Sequence, residues 1–247
     1  MMMNAATVKT LFPGRLTVCT YGGFAPVCYK NTDGQLVGFD ISFLARFAES
    51  LGLAIVTAEK PFNDIWTWPG KNACDVAGAG VMRQDEKKRP IGPRASWTDA
   101  YFQVNRSLLI RTQDAAAFAD YERLSGKTIV VTEGSTADTD ARERYPNCTI
   151  KCVDDVAAGQ PDAQEYIVRT LLANHEVDAF GEGDVSNQYL ADHYGKDVTG
   201  GLMLADVHKI GGLTETFNFI VRNDSSGVLD GLNDFITKNK GSYVPKA

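Results

Sequence analysis

The sequence has no excess of positive charge, no long apolar run, few histidines and none of the glycine signatures of nucleotide chemistry. Each gap removes a class of function. Lys and Arg number 25 against 31 Asp and Glu, for a formal net charge of −6 and a pI near 5.1 with the two signs interspersed. Neither nucleic acid nor an anionic membrane has an electrostatic reason to bind such a chain. No apolar stretch is long enough to span a bilayer. His175, His193 and His208 are scattered without metal-ligand spacing, and Cys148-x-x-x-Cys152 has no matching second pair, which argues against zinc. A Walker A pattern, a Gly-x-Ser-x-Gly elbow and a Gly-x-Gly-x-x-Gly between strand and helix are all missing, so no cofactor is expected. There is no internal repeat or low-complexity tract.

The start, Met1-Met2-Met3-Asn4-Ala5-Ala6, lacks the basic and apolar segments of a secretory signal. A mature form, a trimmed form and a protein that stays inside the cell are all compatible with it. Five cysteines leave at least one unpaired whatever the connectivity. Cys148 and Cys152 flank an extended segment, where a spacing of about 13 Å is too long for a direct bridge. Cys19 and Cys74 fall in strands that could be neighbours and are the better candidate pair. They suit two buried small apolar residues equally well.

A chain of 247 residues can bury one large core or two lobes. Short β-branched runs alternate with amphipathic helical runs to the end, which argues for α/β architecture. Leu16 to Thr20 reads as a buried strand and Asp33-Gly34 as a turn. Asp40 reads as the N-cap of a helix whose stripe runs Ile41, Leu44, Phe47, Ala48, Leu51 before Gly52 stops it. Gly22, Gly23 and Pro26 hold Phe24 at the strand's carboxyl end, the usual ligand face of an open α/β sheet.

Strands follow near Ala54 to Thr57 and over Asp75 to Val81, separated by an irregular Trp- and Pro-rich stretch, Phe62 to Gly70. A charged loop, Arg83 to Arg89, precedes the strand Ser107 to Arg111. The pattern restarts at Gly126-Lys127 with a strand Thr128 to Thr132. Ser135 then opens a helix with Asp138 and Asp140 in its first turn. A strand near Thr149 to Val153 is followed by a helix with capping-box spacing from Asp162 to Glu165 and Ile167, Val168, Leu171 and Leu172 inward. Val177 to Phe180 reads as a strand delivering Gly181-Glu182-Gly183-Asp184 into a loop. Phe217 to Val221 reads as a returning strand, and Val228, Leu229, Leu232, Phe235 and Ile236 mark the last helix.

In this order, Phe24-x-Pro26, Gly38-Phe39-Asp40-Ile41, Asp75-Val76-Ala77 before Gly78-Ala79-Gly80, Trp97-Thr98-Asp99-Ala100-Tyr101, Gly126-Lys127 with Glu133-Gly134-Ser135-Thr136, and Val177-Asp178-Ala179 carry a resemblance. From Leu16 to about Asn239 the chain resembles the family 3 bacterial extracellular solute-binding proteins. That resemblance implies a two-lobe α/β fold of the type II periplasmic-binding-protein kind, each lobe a mixed sheet flanked by helices and the two joined by two hinge segments. The expected lobes are residues 1–104 with 215–247, and residues 105–214.

Carried over residue by residue, the resemblance places Phe24 and Phe62 as the aromatic faces that sandwich a ligand, although both also suit a plain core role. It places Ala79 and Gly80 in a turn that offers the ligand backbone groups, with Met82 where a small hydroxyl is common. The family's carboxylate-binding Arg falls on Lys87, which keeps the charge without the guanidinium fork. Arg83 is an alternative, as is a plainly solvated loop. Ser135 and Thr136 sit at a helix N-terminus, where an anion meets backbone N–H groups. The family's acid for the ligand amino group falls on Gly183, leaving Asp184 as the candidate and Glu182 as its reserve.

The function implied is a non-enzymatic, monomeric receptor that captures an amino acid or related zwitterion in the inter-lobe cleft for a membrane transporter permease, working in the periplasm or outside the cell. Two alternatives share the scaffold: a sensor ectodomain, and an enzyme like the cyclohexadienyl and arogenate dehydratases. Those enzymes use a general acid at positions that fall here on Ser186 and Asn187, neither of which donates a proton as a carboxylic acid does.

Overall fold

A computed structural model describes residues 8–212 and 215–244. The leader reading of Met1 to Ala6 and the boundary residue Thr214 lie outside the described residues. In chain order the first stretch forms β1 (Arg15–Thr20), β2 (Gly23–Phe24), β3 (Cys28–Lys30), β4 (Leu36–Val37), α1 (Phe39–Ser50), β5 (Ala54–Glu59), β6 (Val76–Ala77) and β7 (Ala95–Val104). The middle stretch forms β8 (Arg106–Arg111), β9 (Ser125–Val131), α2 (Thr136–Arg144), β10 (Asn147–Cys152), α3 (Val153–Val156), α4 (Ala163–Tyr166), β11 (Ala179–Gly183), α5 (Asp184–Tyr194) and β12 (Leu202–His208). The chain closes with β13 (Glu215–Arg222) and α6 (Val228–Asn239). It divides into two compact units, one running to Gln103 and resuming at Thr216, the other spanning Val104–Glu215.

The first unit carries a mixed sheet in the order β5-β1-β6-β13-β7 and a small antiparallel sheet β2-β3-β4. β1 pairs in parallel with both β5 and β6, and β13 runs antiparallel to β6. The carboxyl ends of β5, β1 and β6 therefore lie along one edge. The strand expected over Asp75 to Val81 is only two residues long. Asp75 is instead a buried acceptor for the Leu11 and Thr17 N–H groups and the Ser225 hydroxyl, and the chain turns away after Ala77.

Helix α1 corrects two expectations. Its N-cap is Gly38, not Asp40, and its first N–H groups are satisfied by the preceding loop, Phe39 and Asp40 donating to the Pro26 and Val27 carbonyls at 2.9 and 3.0 Å. Gly38 has φ 126°, and a Cβ there would lie 2.4 Å from the Val27 oxygen, so only glycine fits. Asp40 thus points inward, and the buried stripe includes Phe43 while Ile41 stays half-buried. Phe43 packs on Tyr101, Phe219, Phe235 and Tyr243, and the Tyr101 and Phe219 rings stack at 3.9 Å.

The second unit is a sheet in the order β10-β9-β11-β8-β12, with parallel pairs β10·β9 and β9·β11 and antiparallel pairs β11·β8 and β8·β12. Period-2 alternation feeds a core on each face. Leu109, Val130 and Phe180 meet Ile167, Val168, Leu172 and Leu190, whereas Leu108, Ile110, Ile129 and Val131 meet Phe118, Ala137, Ala141 and Tyr145. Ser135 and Asp162 cap their helices by accepting from the Asp138 and Glu165 N–H groups. Gly181-Glu182-Gly183, read as a loop from its composition, continues β11 and is wholly buried, and Asp184 begins α5. Among the five cysteines no disulfide forms, and Cys19 and Cys74 are buried thiols in hydrogen-bond contact.

A charged knot ties β12 to α2. Asp206 accepts from Arg144 Nε at 2.7 Å and Nη2 at 3.1 Å, and from the Tyr145 hydroxyl. His208 Nδ1 lies 2.8 Å from the Asp206 carbonyl and Nε2 lies 2.9 Å from the Asp140 carboxylate, so both ring nitrogens face acceptors. Burial alone would lower the His208 pKa, but the hydrogen bonds to Asp140 and Asp206 outweigh it and push it up to about 9. A raised folded-state pKa contributes stability that is fully present below the unfolded value near 6.5 and is lost as pH rises through 9. Urea midpoints are therefore expected to fall between pH 7 and 10 more steeply in the native protein than in His208→Asn; identical slopes would remove His208 as the source.

Candidate functional site

In the first unit the candidate residues gather along the carboxyl edge of β5, β1 and β6. Phe24 follows β1, and its buried ring meets Phe217 edge-on at 6.0 Å. Gly80 follows β6 with φ 60°, and a Cβ there would lie 2.6 Å from the Phe24 ring. The Gly80 N–H donates to Asp40 Oδ2 at 2.9 Å, so the backbone contact expected of this turn is held internally at that atom. Ala79 is fully buried, and half-buried Met82 bridges to Phe217. Phe62 follows β5 and packs edge-on with Tyr21 at 5.8 Å and Trp66 at 6.3 Å.

Lys87 does not join this group. It is exposed, and its N–H donates to Asp85 within the loop. Arg89, which sequence reasoning missed, is 3% exposed, donates from Nη1 to the Met82 carbonyl at 2.8 Å, and sits 4.8 Å from the Trp66 ring centroid and 5.9 Å from that of Phe62. Three cations in a row, Lys87-Lys88-Arg89, give no local sign of which one inserts. The indole N–H of Trp66, the ring beneath Arg89, and the Thr20 hydroxyl at the end of β1 are buried without a hydrogen-bond partner among the described residues. Unsatisfied buried donors are uncommon and suit a surface waiting for an acceptor.

Asp40 fixes the Gly80 turn. Its Oδ1 accepts the Tyr101 and Tyr243 hydroxyls, each at 2.7 Å. Burial raises its pKa to about 6 even though the two tyrosines and the Gly80 N–H favour the charged form.

In the second unit the candidates lie where β9 and β11 end and β8 begins. The register sets Gly183 opposite Arg106 and Glu182 opposite Ser107. Arg106, 3% exposed, donates from Nη1 to Glu182 Oε1 at 3.2 Å. Its Nε lies 2.7 Å from Glu215 Oε2, in charge contact but out of line for a hydrogen bond. Glu182 also accepts from the Gly183 N–H at 2.9 Å and weakly from Thr132 at 3.4 Å, and Glu215 accepts from the Thr136 hydroxyl at 2.6 Å. Burial lifts the Glu182 pKa above the usual carboxylate range although Arg106 opposes it.

Asp184 is bound to the chain itself, accepting from the Asn105 N–H at 3.1 Å and its side-chain amide at 2.8 Å. The Ser135 hydroxyl accepts its capping bond from Asp138. Arg106 and Glu215 carried no sequence signal, because the cluster exists only through the β8·β11 register and a contact between residues far apart in the chain. No group of three or more potential metal-ligating side chains forms among the described residues.

Residues 16–243 match the family described as bacterial extracellular solute-binding proteins, family 3. A cyclohexadienyl dehydratase of Pseudomonas aeruginosa is 26% identical over 144 residues, 58% of this chain and 52% of the relative. An arginine-binding extracellular protein of Bacillus subtilis is 25% identical over 140 residues, 57% of this chain and 52% of the relative. The match thus spans about half the length of either protein. An amino acid ABC transporter substrate-binding protein of Streptococcus pneumoniae, solved with L-arginine, aligns with TM-score 0.73 at 22% identity over 93% of this chain and 90% of that one. The fold is the two-lobe α/β fold of type II periplasmic amino-acid-binding proteins.

The Asp40 geometry carries a pH signature. A carboxyl whose pKa rises from 3.8 unfolded to about 6 folded favours the fold most below pH 3.8, and that contribution is lost as pH rises through 6. Asp40→Asn is expected to cost on the order of 1–3 kcal/mol through the mismatch with the Gly80 N–H. It should also flatten the stability slope between pH 4 and 6, read from urea midpoints. A slope left intact would assign that titration elsewhere.

Proposed function

Because this chain belongs to the bacterial extracellular solute-binding proteins of family 3, we propose that it captures an amino acid or closely related small solute and passes it to an ABC-type membrane permease outside the cytoplasm. The observation that most supports this reading is Arg89 buried against Trp66 and Phe62, with an unsatisfied indole N–H on Trp66 itself. A guanidinium held on aromatic rings is oriented before the ligand arrives, so little side-chain entropy is lost when a carboxylate meets it. Arg89 therefore takes the carboxylate role that motif position alone gives to Lys87. Phe24 and Phe62 supply apolar faces, and in the second unit Ser135 and Thr136 stand at the start of α2.

The dehydratase relative raises an enzymatic alternative, which the residues of α5 do not favour. The Ser186 hydroxyl accepts from the Gln164 amide at 3.2 Å, and the Asn187 amide nitrogen contacts Ser107 and the Phe180 carbonyl. Neither is a proton donor of carboxylic-acid strength. Of the two acids just before them, Glu182 is tied to Arg106 and Asp184 to Asn105. Prephenate and arogenate are expected to survive incubation with the protein, checked by chromatography; turnover abolished by Glu182→Gln would reverse the assignment.

Thermal-shift screening against the common amino acids is expected to find a stabilising ligand, about 2.7 kcal/mol at one hundred times its Kd. By calorimetry, Arg89→Met is expected to weaken that ligand at least ~30-fold, as loss of one partner of a buried charged pair costs about 2–5 kcal/mol, and Lys87→Ala is expected to weaken it far less. Equal affinity in Arg89→Met and the native protein would remove Arg89 from the site.

A further inference from the structure

Cys19 lies on β1 and Cys74 stands two residues before β6, and the two are 0% and 1% exposed. Burial alone fits two small apolar residues, but the way the chain brings the sulfurs together asks for more. On entering β6 the Asp75 N–H donates to the Thr17 carbonyl at 3.0 Å and to the Thr17 hydroxyl at 2.9 Å. The Asp75 carboxylate in turn accepts from the Thr17 N–H at 2.9 Å. These bonds fold the Cys74-Asp75 segment onto the face of β1 that carries Thr17 and, by the two-residue repeat of a strand, Cys19. There the Cys74 thiol donates to the Cys19 sulfur, and the Cys19 N–H donates to the Cys74 sulfur. Two sulfurs in mutual contact, one of them also bonded to the other residue's backbone, have the close approach that a disulfide demands. The remaining thiols are placed otherwise. Cys148 turns to the Leu124 carbonyl at 3.6 Å, Cys152 meets Arg142 at 3.7 Å, and Cys28 lies on β3 of the small sheet.

We propose that Cys19 and Cys74 join in a structural disulfide when the chain folds in an oxidising space, stapling β1 to the entrance of β6, while Cys28, Cys148 and Cys152 stay as thiols. The structure shows the reduced pair. The oxidant is an exchanging disulfide. One cysteine attacks it as the thiolate, giving a mixed disulfide and releasing one thiol, and the other cysteine then displaces the second half. Two protein thiols lose two electrons and two protons, one S–S bond forms in the protein, and the S–S bond of the oxidant becomes two thiols. The exchange belongs to folding, because neither sulfur is open to solvent once the sheet is made, and the same burial shields the finished bond from reductants. The staple closes a loop of roughly 55 residues that contains Phe24, Phe62 and Trp66. It fixes the two strands whose carboxyl ends carry Phe24 and the Gly80 turn. That the chain meets an oxidant rests on the reading of a protein working outside the cytoplasm; the choice of pair does not.

The test refolds the full chain, reduced and unfolded in urea, in a buffer of oxidised and reduced glutathione, and then alkylates it under denaturing conditions. Three of the five cysteines are expected to take up the alkylating group, against all five after refolding under reductant, with the Cys19 and Cys74 peptides linked in a digest. The oxidised protein is expected to melt at least about 5 °C above the reduced one. In Cys74→Ala the two buffers should give the same melting temperature. Alkylation of all five cysteines in the glutathione buffer, linkage of any other pair, or equal melting temperatures for the oxidised and reduced native protein would each overturn the inference. None of these outcomes touches solute capture, which is read separately by the thermal-shift screen.

Discussion

The buried carboxylate of Asp40 is the interaction on which the turn after β6 depends. It gathers donors from the turn after β6, from β7 through Tyr101, and from the segment after α6 through Tyr243. Desolvating a carboxylate is costly, and these donors offset the cost only while all three segments are in place. The position of Gly80, and with it the Phe24 ring that lies where a Gly80 Cβ would be, follows from the packing of helix α1. The aromatic cluster around Phe43 excludes water from this network and keeps its hydrogen bonds strong.

The second unit solves a related problem differently. Arg106, Glu182 and Glu215 are all nearly inaccessible, and a charged group taken out of water persists only where it is paired and hydrogen-bonded. The pairing here is uneven: Glu182 is held by a hydroxyl, a backbone N–H and the guanidinium, while Glu215 Oε2 and Arg106 Nε meet in charge contact without a hydrogen bond.

Much of the architecture was legible in the sequence because its signals are local. The caps at Ser135 and Asp162, the inward stripe of Ile167, Val168, Leu171 and Leu172, and the alternating strands of the second unit follow from spacing. What was not legible depends on distant partners. Asp40 reads as an N-cap because an acid precedes an apolar run, but its acceptor role is fixed by residues 40, 61 and 203 positions away. Gly181 to Asp184 has a loop's composition, and it is a buried strand end because β8 and β9 pair with it on either side. The choice of Lys87, with Arg83 as its alternative, followed motif spacing, whereas the burial of Arg89 is decided by the Trp66 ring and the Met82 carbonyl.

The strand order of the first sheet has a consequence for how the chain acquires its shape. β13 lies between β6 and β7, yet it is made only after the whole of Val104–Glu215. The second unit is continuous and holds all its sheet partners once its own residues are available, so it can fold early. The first unit must wait with β6 and β7 unjoined, their ladder groups open to solvent or to other chains, until Glu215–Arg222 arrives to fill the gap. During synthesis the vulnerable interval belongs to the N-terminal segment, and its length is set by how quickly the last thirty or so residues follow.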